Sequence, residues 1–85
     1  MDKGILYFSA PWCGPCKAMT PLLEQMGKQG RVNVKKINID YDATLPVEYN
    51  IKNIPTLVLT DLGGKEIKRH TGAMSEQQIV DWYNG

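Results

Sequence analysis

No stretch of this chain stays apolar for more than about half a dozen residues, far short of the ~20 that a membrane-spanning helix requires. Charge of one sign is equally scarce. Ten basic residues face nine acidic ones, for a net charge of +1, and no long run of either sign occurs. That balance argues against a nucleic-acid or membrane-surface binder built on bulk charge. There are two cysteines and one histidine. Two closely spaced cysteines do not make the framework of a small secreted domain, which uses more cysteines at longer separations. With one histidine they also fall short of the roughly four ligands of a structural zinc site. A zinc or cluster site shared between two chains is an alternative that the pair leaves open. Repeats and low-complexity segments are absent. Met1-Asp2-Lys3 runs straight into the first apolar stretch with no charged-then-apolar targeting segment. The expectation is one domain over residues 1–85, cytoplasmic and monomeric, with no nucleic-acid or membrane partner.

The two cysteines lie together, in Trp12-Cys13-Gly14-Pro15-Cys16. Before them stands a short apolar run, Gly4 to Phe8. After them Ala18, Met19, Leu22, Leu23 and Met26 recur at helical spacing. A Cys-x-x-Cys pair at a strand-to-helix junction reads as redox chemistry. Residues three apart on a helix share a face, about 4.5 Å apart along the axis. A disulfide needs Cα atoms ~4.4–6.8 Å apart, so the pair accommodates both the bond and two free thiols. The alternative is a structural staple. Closing so short a loop contributes only roughly 2 kcal/mol, against ~4.7 for a hundred-residue loop.

The remaining pattern predicts the frame. Gly4–Phe8 is a buried strand with Ile5, Tyr7 and Ser9 on one face and Leu6 and Phe8 on the other. A helix spans about Pro15 to Lys28, with Pro21 inside it and Gly27 and Gly30 ending it. Arg31–Asp40 is a second strand that changes exposure midway. Asp42 or Thr44 caps a short helix through Tyr49, and Asn50 suits a left-handed residue after it. Pro55–Thr60 and Lys65–Thr71 form a hairpin around Asp61-Leu62-Gly63-Gly64, the second strand at the sheet edge. Ser75 and Gln78 are a capping box for a last helix with Ile79, Trp82 and Tyr83 as its apolar stripe. The order β-α-β-α-β-β-α fits an α/β fold: a four-stranded mixed sheet with helices on both faces.

Trp12-Cys13-Gly14-Pro15-Cys16-Lys17 resembles the active-site motif of the thioredoxins. Pro21, Asn38-Ile39-Asp40, Ile54-Pro55-Thr56 and Thr71-Gly72-Ala73 match the same family in order. The resemblance covers nearly the whole chain, beginning at the family's central strand, without its usual first strand and helix. It implies a protein-disulfide reductase with Cys13 as nucleophile, its thiolate favoured by a helix N-terminus, and Cys16 as resolving thiol. It implies a cis peptide bond at Ile54-Pro55, where the residues alone would give a trans proline opening an edge strand. It also implies a flat docking surface of Trp12, Gly14, Pro15, Ile54, Thr71, Gly72 and Ala73. No cofactor beyond the Cys13–Cys16 disulfide is implied. Electrons would come from NADPH through a thioredoxin reductase or similar partner. Disulfide-containing proteins, ribonucleotide reductase among the candidates, would be substrates. The alternatives are a glutaredoxin-like protein recycled by glutathione, which the compact layout suits and Gly14-Pro15 opposes, and a non-catalytic docking module using the same surface.

One departure stands out. The family places a buried Asp six positions before the first cysteine; here that position is Tyr7. The family's partner lysine is kept as Lys36. A tyrosine hydroxyl, with a reference pKa near ~10, is a poor base at neutral pH but can donate or accept a hydrogen bond. Ser9 replaces a family Trp on the same strand face, so Tyr7 and Ser9 read as a volume-compensating pair. Tyr7 and Lys36 are therefore candidates for tuning Cys16. His70 and Lys17 read as solvated residues, and Asp40 and Asp42 as caps and turns.

Overall fold

A computed structural model of the protein describes residues 2–85; Met1, ahead of the predicted first strand, lies outside them. Seven elements follow one another: β1 (Lys3–Ser9), α1 (Cys16–Lys28), β2 (Val34–Asn38), α2 (Leu45–Glu48), β3 (Thr56–Asp61), β4 (Glu66–Thr71) and α3 (Glu76–Asn84). The sheet order is β2-β1-β3-β4. β1 pairs in parallel with β2 and antiparallel with β3, and β3 pairs antiparallel with β4. This is the predicted α/β, thioredoxin-like architecture.

Each face of the sheet carries its own core. Ile5, Tyr7, Leu57 and Leu59 meet Met19, Leu23 and Met26 of α1 and Ile79 and Tyr83 of α3. Phe8, Ile37 and Val58 form the opposite core, against which Leu45 and Tyr49 pack from the α2 region. The alternation along β1 thus sorts as its pleat requires. The midway change along β2 has the same cause. Val32 and Val34 face the α1 side, and Ile37 and Ile39 face the other.

Helix ends account for most boundary differences. Arg31, predicted to start β2, belongs to the α1 terminus: its N–H reaches the Met26 carbonyl at 3.1 Å while Gly30 takes φ +73°. That is a Schellman ending, and it delays the strand to Val34. Asn50 ends α2 the same way, with φ +53° and the Ile51 N–H on the Pro46 carbonyl at 2.8 Å. Asp40, predicted within the strand, lies beyond it because the chain turns back at Asn38, whose carbonyl accepts from the Tyr41 and Asp42 amides. Asp42 rather than Thr44 caps α2: its Oδ1 accepts from the Thr44 and Leu45 amides at 2.9 and 3.0 Å. The Ser75–Gln78 capping box is present in both directions.

Candidate active site

Cys13 and Cys16 form a disulfide with a Cα–Cα distance of 5.2 Å, inside the range a Cys-x-x-Cys pair reaches on one helical face. Cys16 is the first residue of α1, and Pro15 occupies the N-cap position, where its missing N–H is no loss. Cys13 sits in the turn ahead of the helix, its N–H bonded to the Ala10 carbonyl at 3.1 Å. The Cys16 amide donates to Cys13 Sγ at 3.3 Å. The first turn of α1 holds no acidic residue. The positive end of the helix therefore points at one sulfur without competition from a carboxylate, which favours a thiolate there once the bond is reduced. Cys16 is the more enclosed of the two, 2% exposed against 5%, and its cluster partners, Ala10, Ile39 and Ile54, are apolar.

Of the predicted docking residues, Trp12, Gly14 and Pro15 flank the cysteines along the chain and Ile54 packs against their cluster. Trp12 is 65% exposed, and Gly14, Pro15, Thr71 and Ala73 are exposed with it; Ile54 and Gly72 are half-buried. Pro55 is buried, and the Ile54-Pro55 peptide bond is cis. The Gly72 N–H on the Pro55 carbonyl at 2.9 Å ties the two loops together, and Gly72 holds φ +107°, a conformation that favours glycine. The Ile54 main-chain N–H and C=O have no hydrogen-bond partner among the described residues.

Three partners went unrecognised in the sequence. Asp40 lies in a turn, as read there, and also accepts the Trp12 indole N–H on both carboxylate oxygens at 3.2 Å. Tyr7, 1% exposed, shares a 2.9 Å hydrogen bond with the Thr20 hydroxyl. Burial pushes the Tyr7 hydroxyl above its ordinary range, outweighing the hydrogen bonds from Thr20 and Ser9 that pull it down. Lys36 is exposed at the surface, where it pairs with Glu24 of α1 at 3.0 Å. The spacing of Thr20 and Glu24 from Cys16, four and eight residues along the helix, was the one available signal, since it puts all three near one face. Among the described residues, no group of three or more His, Cys, Asp or Glu side chains is placed to hold a metal ion. No helix among them is long and apolar enough to cross a membrane.

Comparison with known proteins gives one answer. A family model described as Thioredoxin matches residues 1–84. A thioredoxin from Rickettsia conorii is 40% identical over 79 residues, covering 91% of this chain and 74% of its own length. One from Haemophilus influenzae is 34% identical over 82 residues, covering 94% and 76%. Among solved structures, a mutant thioredoxin from Halobacterium salinarum superposes with a TM-score of 0.86 at 31% identity, over 98% of this chain and 73% of that one. Fasciola hepatica thioredoxin superposes at 0.85 with 28% identity, over 98% and 79%.

Proposed function

From the premise that the chain belongs to the thioredoxin family and is a thiol–disulfide oxidoreductase that reduces protein disulfides, we propose which atoms carry the reaction. Cys13 Sγ attacks a substrate disulfide, forming a mixed disulfide and releasing one substrate thiolate. Cys16 then attacks Cys13, closing the Cys13–Cys16 bond and releasing the second. The observation that supports this order is the amide of Cys16 aimed at Cys13 Sγ, at 3.3 Å. The sulfur at a helix N-terminus is the better thiolate, and the more enclosed sulfur is left to the intramolecular second step. The redox group is the cysteine pair itself, and no separate cofactor is needed.

The same geometry supports the docking role of Trp12, Gly14, Pro15, Ile54, Thr71, Gly72 and Ala73. These small or apolar residues present little bulk around Cys13, the less enclosed sulfur, and an extended substrate segment can pair with the free Ile54 main chain. Pro55 is buried, its carbonyl bonded to the Gly72 amide. In this reading the chain works as one domain over residues 1–85, as a cytoplasmic monomer. It takes electrons from NADPH through a thioredoxin reductase and passes them to disulfide-containing proteins, with ribonucleotide reductase a candidate. The glutaredoxin-like and docking-module alternatives are not favoured.

Insulin reduction with dithiothreitol tests the chemistry. The wild type should accelerate precipitation of the insulin chains, and Cys16→Ser should abolish turnover while trapping a mixed disulfide at Cys13. Full activity of Cys16→Ser would sink the assignment. Turnover with NADPH and a thioredoxin reductase, against turnover with glutathione, identifies the electron source.

A further inference from the structure

Resolution requires Cys16 to lose a proton, yet its side chain is 2% exposed and its cluster partners, Ala10, Ile39 and Ile54, offer no base. Thr20 lies four residues on in α1, one turn away on the same face. Thr20 lines two cavities. The smaller, about 140 Å³, is walled by Ala10, Thr20 and Lys36 among others, so the residue packed on Cys16 also borders this space. The larger, about 390 Å³ and open to solvent, has Tyr7, Thr20, Glu24 and Lys36 in its wall. Both are large enough for water. Glu24 carries the only carboxylate lining either cavity among the described residues. The groups around it are Lys36 from β2, Lys28 from its own helix and the Tyr7 hydroxyl from β1.

We propose that the proton of Cys16 leaves along the Thr20 hydroxyl and cavity water to the Glu24 carboxylate. Tyr7 orients Thr20 through their 2.9 Å hydrogen bond. The Tyr7 hydroxyl, ordinarily protonated at neutral pH and pushed further up by burial, positions Thr20 and does not serve as the final acceptor. The step balances. Cys16 S–H gives up its proton, and the resulting thiolate attacks Cys13 Sγ of the mixed disulfide. The Cys13–Cys16 bond forms, and the bond from Cys13 to the substrate sulfur breaks. The electron pair departs with the substrate thiolate, and the proton passes from Glu24 to solvent. The two cysteines are oxidised and the substrate disulfide is reduced. Thr20 relays the proton in this route, Tyr7 is a positioning residue, and Glu24 is a remote acceptor.

The proposal rests on the cysteine roles assigned above, and the test separates the two. Fully reduced protein is mixed in a stopped-flow instrument with 5,5′-dithiobis(2-nitrobenzoate). The first thiolate released reports attack by Cys13, and the second reports resolution by Cys16. Glu24→Gln alters an exposed side chain. It should leave the first phase unchanged and slow the second about tenfold or more at pH 7, with the gap closing as hydroxide takes over at higher pH. Thr20→Val should slow the second phase likewise, and Thr20→Ser should restore it. A second phase in Glu24→Gln that superimposes on wild type across the pH range would overturn the route while leaving the cysteine roles intact. A second phase that survives in Cys16→Ser would overturn both.

Discussion

Reduction of the Cys13–Cys16 bond should lower the stability of the fold only slightly, and the size of the loss is a direct measure of what the bond is for. The two residues are three apart in sequence. In the chain-entropy model, closing a four-residue loop restricts the unfolded chain by about 6 cal/mol/K, or roughly 2 kcal/mol at 25 °C. A second effect opposes this. Once reduced, the Cys13 sulfur can carry charge beside the Cys16 amide that already faces it at 3.3 Å. A charge at a helix terminus is worth about 0.3–1 kcal/mol. The main core is not involved: none of the ten buried residues of the cluster that joins β1, β3, α1 and α3 with Val32 is a cysteine. The net loss is therefore about 1–2 kcal/mol, which for a domain of this size lowers Tm by roughly 4–16 °C. The assay is a pair of thermal melts followed by far-ultraviolet circular dichroism, one on the oxidised protein and one in excess dithiothreitol. A Cys13→Ser/Cys16→Ser variant serves as a reference that carries neither the bond nor the charge. A loss above ~4 kcal/mol, the scale of a bond closing a hundred-residue loop, would refute the reasoning and make the disulfide a staple. The same would follow if the reduced protein were unfolded at room temperature.

Two further outcomes follow from single contacts. Tyr7→Phe deletes one partner of the 2.9 Å hydroxyl pair with Thr20 and should reduce stability by about 1 kcal/mol at neutral pH. Because burial raises the Tyr7 hydroxyl in the folded state, its contribution is fully present below the unfolded value of ~10 and is lost as pH rises through the folded one. Urea midpoints should thus fall more steeply above about pH 10 in wild type than in Tyr7→Phe, and identical alkaline profiles would contradict the account. Ser75→Ala removes the side chain that accepts from the Gln78 amide at 3.2 Å and should cost about 1 kcal/mol in a urea melt. A change below ~0.3 kcal/mol would mean that the packing of Ile79 and Tyr83 alone holds α3.

What the sequence disclosed and what it withheld divide along a physical line. Features set by neighbours along the chain were legible: the alternation of β1, the capping box at Ser75, the left-handed Asn50 and the cysteine spacing at the start of α1 all depend on residues within a few positions. The cis bond before Pro55 was not among them; the residues alone pointed to trans, and only the joint family pattern reversed that. Contacts set by how α1 rests on the sheet were not legible. Tyr7 could be seen to be a weak base in place of a carboxylate, but its bond to Thr20 depends on the axial position of α1 over β1. Lys36 could be matched to a lysine that partners a buried acid. With a neutral tyrosine there, Lys36 lies at the surface paired with Glu24 of the helix. Asp40 keeps its expected place in a turn, but the contact that turn gives its carboxylate, the Trp12 indole, depends on how the chain folds back at Asn38. The Tyr7 and Lys36 contacts answer one change at the centre of the sheet. Once residue 7 is neutral, it offers no anion to hold Lys36, and Lys36 pairs instead with Glu24 on α1. Under the proposed route, the deprotonation of Cys16 turns on the α1 face that carries Thr20 and Glu24, not on a strand residue.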